Sequence, residues 1–332
     1  MNKTCEYFLI ENPHTSTVIP LSIFITILST IVNLVGFYVI LFKSTKETKL
    51  YLFTLFGNQL SLWIAQGFWA IFMNTMPLFP FPAFYSTNVF NFSTHATIHI
   101  WVLLLGVFAV FLGCQLIVRH KMIVRASSFF NFDNWVYICA LILGWCLLNG
   151  SLLTVWTLFN NPYAEKFLEI QKSFPGCQKV FDLPGVLVIT DANLLYVWLG
   201  LMALIGIAVD GAYAVSSFLM LFELFKQTSK MSKNAFAHMK KVVVDTIVQI
   251  LIKSLFISTW AFWIVISYFV DKNVDTRAAS TIINSLFVAA PIPGTISMMV
   301  QNASYRKFIT ETILRRKRSE VNPYQSTLPG RL

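Results

Sequence analysis

The chain has 332 residues, 56% of them hydrophobic and only 12% charged, with a mean hydropathy of +0.65. A water-soluble domain carries about 25% charge, so most of these side chains face something other than water. The formal net charge is +10, but the basic residues stand at the ends of apolar runs, which points to a membrane border and away from nucleic acid.

Seven apolar runs approach or exceed the ~20 residues that a helix needs to cross the hydrocarbon core. In lipid each backbone polar group must pair within its own segment, so continuous apolar runs dictate helices. The ~10-residue alternating segments of a barrel are missing. The expected fold is an all-α membrane protein, a seven-transmembrane-helix bundle forming one domain. Its spans are placed at 18–42, 51–74, 94–118, 135–159, 191–225, 242–270 and 279–303. Residues 1–17 form a short polar N-terminal segment and 304–332 a basic tail. The first run lacks a basic stretch before it and is too long for a signal peptide, so it is expected to be a retained helix.

Eighteen of the 25 Lys and Arg residues fall in the tail and the three loops on its side; six fall opposite, and Lys253 lies within the sixth span. Basic loops stay cytoplasmic, which puts the N-terminus outside and the C-terminus inside. Sequons at Asn2 and Asn91 then lie on the side where glycans are added. Of five cysteines only Cys5 and Cys177 fall outside, and a Cys5–Cys177 disulfide tethering the N-terminus over the outer mouth is the expectation. Cys114, Cys139 and Cys146 lie in spans and are expected to pack.

Asp210 and Lys253 are the charges placed deepest in apolar runs, in the fifth and sixth spans. Ionisable groups at that depth pair or face the bundle interior. Either they bond each other, or Lys253 snorkels while Asp210 hydrogen-bonds across helices. Ala208, Ala212 and Ser216 offer a small-residue face that suits close helix approach. His95 and His99 have metal-ligand spacing, but no HExxH or acidic partner accompanies them, and neither metal nor cofactor is expected. The seventh run is interrupted by Pro291, Pro293 and Gly294, each of which weakens or removes helical hydrogen bonds, so a hinge is expected near mid-membrane. After it, Tyr305, Phe308, Ile309, Thr312 and Ile313 follow helical spacing, which suggests a short interfacial helix resting on anionic lipid.

Several short motifs occur in order along this topology. They are Gly36-Phe-Tyr38-Val-Ile-Leu-Phe42-Lys43 ending the first span, Pro77-Leu-Phe-Pro80-Phe-Pro82 before the third, Val118-Arg119-His120 at the inner end of the third, Met231-Ser-Lys-Asn before the sixth, and Ser304-Tyr305-Arg306-Lys307-Phe308 after the seventh. Together they resemble the nematode serpentine chemoreceptors of the Str superfamily, closest to its Srh and Sri classes, over about 18–308. The resemblance implies a plasma-membrane receptor, in chemosensory cilia, for an odorant or other small molecule, with a heterotrimeric G protein as partner. It places Arg119 and His120 where rhodopsin-like receptors carry an acidic-Arg-aromatic triplet, although Val118 replaces the acidic residue. Asp245 is then the nearest candidate partner of Arg119, and Arg119, His120, Asp245, Tyr305 and Arg306 form the candidate switch and G-protein coupling set. Alternatively, Arg119 is an interface anchor. A ligand is expected in the outer half of the bundle between spans three, five, six and seven, with His99, Trp101, Tyr196, Trp260, Trp263 and Asn284 as candidate contacts. A seven-helix ligand-gated channel or transporter subunit is the alternative. No nucleophile–base set converges on one face, so an enzyme is not expected.

Overall fold

The structure, a computed structural model, describes residues 17–44, 48–79, 81–86, 93–124, 128–159, 164–174, 185–271, 274 and 276–313. Asn2, Asn91, Cys5 and Cys177 lie outside these residues.

The first span is α1, Ile19–Lys43. The second, α2, is Lys49–Gly67 and continues through a π-helical turn, Phe68–Met73, to Asn74 in the left-handed conformation. Two short strands follow, β1 (Met76–Pro77) and β2 (Ala83–Tyr85). The third and fourth spans are α3, Thr94–Ile123, and α4, Asn134–Leu158. The long outer connection holds α5, Ala164–Ser173, and β3, Val186–Val188. Next come α6, Ala192–Lys226, and α7, Lys233–Phe269. The seventh span is two helices, α8 (Arg277–Ala289) and α9 (Pro291–Gln301), bent by 43° at the prolines. A short α10, Ala303–Phe308, follows.

Polar side chains set several of these starts by capping free backbone N–H groups. Ser93 Oγ accepts from Ala96 N, Asp191 Oδ1 from Leu194 N, and Ser232 Oγ from Ala235 N. The last of these makes α7 longer than the sequence reading allowed. The segment from Lys233 to Lys241, read as basic loop, is helix, because Lys, Ala, Phe and Met are good or neutral helix formers and Ser232 caps them.

Five helices, α1, α3, α4, α6 and α7, are long and apolar enough to cross a membrane, and the α8–α9 pair qualifies as one bent span. The second helix is more polar, since Asn58, Gln59, Ser61 and Gln66 occupy it, and all four are buried. Polar side chains of these helices turn into the bundle interior, where they share space with a hydrophobic core, and large apolar ones cover the outside. On α1, Ser22, Thr26, Ser29, Asn33 and Gly36 recur every three or four residues and turn inward, while Phe24, Ile27, Ile31 and Leu34 face outward. Lipid tails are as apolar as leucine, so burial alone does not hold such helices together; close packing and interhelical hydrogen bonds do.

A lid covers the outer end. Its three strands pair antiparallel in the order β1-β2-β3, with Phe84 opposite Leu187 and Pro77 opposite Phe84. The sheet is a departure from an all-helical chain, built from two separate outer loops. Gly185 precedes β3 at φ 86°, and any Cβ there would lie 2.1 Å from the Ser86 carbonyl oxygen, so a larger residue does not fit. Phe79, Phe81 and Phe84 plug the bundle from above. Phe84 packs edge-on against Trp156 and Trp198, with ring centroids 5.7 and 5.8 Å away.

Candidate functional site

At the inner end, Arg119 of α3 lies over the Tyr51 ring of α2, with its guanidinium carbon 3.3 Å from the ring centroid. Arg119 is buried, and Tyr51 also receives Gln115 Nε2 on its hydroxyl at 3.4 Å. Both line a small cavity of about 50 Å³, together with Asp245 and Gln249 of α7, Gln301 of α9 and Tyr305 of α10. Gln249 Nε2 donates to Gln301 Oε1 at 2.9 Å, tying α7 to α9. Tyr305 is buried against α1 and α2, and its hydroxyl bonds Ser44 Oγ. Arg119, Asp245 and Tyr305 therefore converge. His120 does not join them: it turns towards α4, where its Nδ1 lies 3.1 Å from the Tyr137 hydroxyl. Arg306 is exposed on α10.

A second polar cluster lies beneath the bend. Asn33 of α1, Gln59 of α2 and Thr295 of α9 are all but fully buried. Gln59 Nε2 donates to Asn33 Oδ1 at 2.7 Å and to the Pro291 carbonyl at 3.3 Å, and it also bonds Thr295 Oγ1. Thr295 Oγ1 lies 2.8 Å from Asn33 Oδ1 and 2.9 Å from the Pro291 oxygen. The three expected hinge residues sit in this setting. Pro291 starts α9 and its carbonyl is held by two side chains, while Gly294 leaves room for the Lys253 stem, whose Cε would lie 2.9 Å from a Cβ at that position. Gly36 does the same for α1, since its missing Cβ would meet Thr295 Cγ2 at 2.5 Å.

The structure does not bring Asp210 and Lys253 together. Lys253 is buried and its Nζ bonds Asn58 Oδ1 on α2. Asp210 accepts from two hydroxyls of α7, with Oδ2 2.7 Å from Ser258 Oγ and Oδ1 bonded to Ser254 Oγ. The reason is helical register. Lys253 and Ser254 are neighbours in sequence, so they point about 100° apart around α7, one towards α2 and the other towards α6.

Asp210 lines a cleft of about 540 Å³ between α3, α4, α6 and α7. Ala208, Ala212 and Ser216 line it too, so the small-residue face of α6 borders an open cleft instead of a close helix contact. Cys139 and Cys146 are exposed and do not pack in the core; Cys114 is half-buried.

The expected outer ligand contacts are divided. Trp101 and Trp260 are buried in an aromatic cluster with Trp69 and Phe287, with ring centroids 4.6–5.1 Å apart for Trp69–Trp101, Trp69–Trp260, Trp101–Trp260 and Trp260–Phe287. These rings fill the centre between α2, α3, α7 and α8, where an outer pocket was expected. Asn284 accepts from Trp69 Nε1 at 2.9 Å, and Trp263 Nε1 donates to Ser280 Oγ at 3.0 Å. Tyr196 is half exposed and packs edge-on against Tyr268. His99 stays beside His95, whose ring stacks on Trp156. Of the six, Trp101 and Trp260 border the cleft on the α4 side, while Trp260, Trp263 and Asn284 line a small cavity of about 10 Å³ nearer the outer end.

Tyr51, Asn58, Gln59, Asn33, Thr295, Trp69 and Phe287 carry much of this architecture and were missed from sequence. A signal existed for α2: four polar side chains inside an apolar run need partners in lipid as surely as charges do.

A bundle of apolar-faced helices, with polar side chains bonded inside it and a bent seventh span, defines a multi-pass helical membrane protein. A family model, described as serpentine type 7TM GPCR chemoreceptor Sri, matches residues 12–309, and the chain belongs to that family. Among curated proteins none matches it.

Proposed function

We propose that this protein is a chemosensory receptor that binds an odorant or other small molecule within the bundle and signals to a heterotrimeric G protein at its inner face. The N-terminus lies outside and the basic loops inside, at the plasma membrane. Support comes from α9. This 11-residue helix starts at the bend, holds Thr295 in the polar cluster and ends with Gln301 on the Arg119 cavity. It is about 15 Å long, so a 10° change of the bend would swing its inner end by roughly 2.5 Å. That movement bears directly on the Gln249–Gln301 bond and on Tyr305. A ligand that binds one bend angle better shifts the population of inner-face shapes.

Arg119, Asp245 and Tyr305 would act as the switch, and Arg306 with the basic tail would meet partner and lipid headgroups. A cation held over a ring out of water contributes about 2 kcal/mol, so losing an Arg119–Tyr51 contact made in one form alone would move the active-to-inactive ratio by about 30-fold. The test is a ligand screen with a G-protein readout in cells, repeated with Arg119→Ala at matched surface level. Ligand-dependent activation that Arg119→Ala alters is the expected result. Ligand-dependent current without G-protein activation would overturn the reading and favour a channel.

A further inference from the structure

The cleft between α3, α4, α6 and α7 carries a carboxylate that, among the described residues, has no counter-charge of its own. Asp210 accepts hydrogen bonds from Ser254 and Ser258, and a carboxylate has about four acceptor sites. Among the described residues no lysine, arginine or histidine forms an ion pair with it, Lys253 being turned to Asn58. Charges at this depth are kept only where they pair or serve a cavity. The two serines orient the carboxylate without neutralising it.

The walls of the cleft are mostly apolar, and small residues keep it wide, with Gly144 on α4, Ala208 and Ala212 on α6, and Ala261 on α7. Its volume of about 540 Å³ lies within the range of drug-sized ligand sites. Two donors without a partner are buried on its wall, Trp101 Nε1 and Asn149 Nδ2. Ser258 and Ser254 precede Trp260, which packs on Trp101, by two and six residues, so Asp210 sits about 3–9 Å inward of Trp101 along the helix axis. The lid closes the outer mouth, and α4 buries only Leu152 and Trp156.

We propose that this cleft is a site for lipophilic amines. The protonated nitrogen pairs with Asp210 and the hydrocarbon body lies along α3 and α4. An oxygen acceptor on the body, where the ligand has one, faces Trp101 and Asn149. Such molecules partition into the bilayer and reach the cleft from the membrane rather than through the lid. This deepens the chemoreceptor reading and rests on it, and the test is one of binding alone, so the two fail separately.

The full-length receptor is purified into nanodiscs of phosphatidylcholine, with empty discs subtracted. Binding of decylamine, decanol and decanoate is followed by tryptophan fluorescence, since Trp101, Trp145 and Trp260 line the cleft. Decylamine is expected to bind about tenfold or more tighter than decanol, the strength of one charge-assisted hydrogen bond. Asp210→Asn should erase that preference and leave decanol binding in place. Should Asp210→Asn fail to fold, Gly144→Leu serves: a Cβ at Gly144 meets nothing within 4 Å, so the added side chain fills the cleft and should weaken decylamine binding with Asp210 intact. Equal affinity for amine and alcohol in the wild type, or decylamine binding untouched by either variant, overturns the proposal. A receptor that activates a G protein with neutral ligands while ignoring amines would overturn this inference and leave the receptor reading standing.

Discussion

Asn33 Oδ1 sits between two donors, Gln59 Nε2 at 2.7 Å and Thr295 Oγ1 at 2.8 Å, at a point where α1, α2 and α9 meet out of contact with solvent. Thr295→Val leaves the Gln59–Asn33 bond in place and Gln59→Leu leaves the Thr295–Asn33 bond, while each also removes the bond between Gln59 and Thr295. Each single change removes at least two bonds, a net loss of about 1–3 kcal/mol. For Gln59→Leu the loss is tempered, because Gln59 Oε1 is itself buried without a partner and the leucine removes it. The double variant is different in kind. Asn33 Oδ1 then has no donor, and an orphaned buried acceptor costs about 1–3 kcal/mol more. The expected pattern is therefore a loss for the pair that exceeds the sum of the two single losses by about 1–3 kcal/mol. Reversible unfolding of the detergent-solubilised receptor, by heat or by a graded rise in denaturing detergent, measures all four corners of the cycle. Losses that add to within about 0.5 kcal/mol would refute the shared-acceptor argument. So would a double variant as stable as either single one.

Gly36→Ala should be destabilising by about 1–3 kcal/mol, because a Cβ 2.5 Å from Thr295 Cγ2 forces α1 and α9 apart. A melting temperature equal to that of wild type would show that the contact gives freely. Replacing Pro291 and Pro293 together by alanine should preserve surface expression while changing the dose–response for G-protein activation, since the bend sets where α9 points. An unchanged response would remove the bend from the mechanism.

Much of the fold is legible in the sequence because lipid imposes one rule per segment: an apolar run of sufficient length must be a helix. The rule says little about which face meets which helix. Lys253 shows the difficulty. It and Asp210 are the obvious pair by depth, yet a 100° step around α7 sends Lys253 to Asn58 and hands Asp210 to two serines. Trp101 and Trp260 show another limit. Their depth places them inside the bundle, but depth does not reveal that Trp69 and Phe287 pack beside them. The lid was hidden for a third reason. Its strands are two or three residues long and come from separate loops, so no periodicity announces them. Arg119 and Tyr305, which line one inner cavity, were singled out because both stand in the short motifs that carry the family resemblance.

The polar second helix has a consequence for how the protein is made. Asn58, Gln59, Ser61 and Gln66 each oppose transfer from the insertion machinery into lipid, where such groups are penalised. A helix of this composition gains little by leaving the translocon alone. Asn33 on α1 and Thr295 on α9 supply what Gln59 needs, yet the first is synthesised before it and the other far behind. The bonds of Gln59 are therefore complete only once the first, second and last spans stand together.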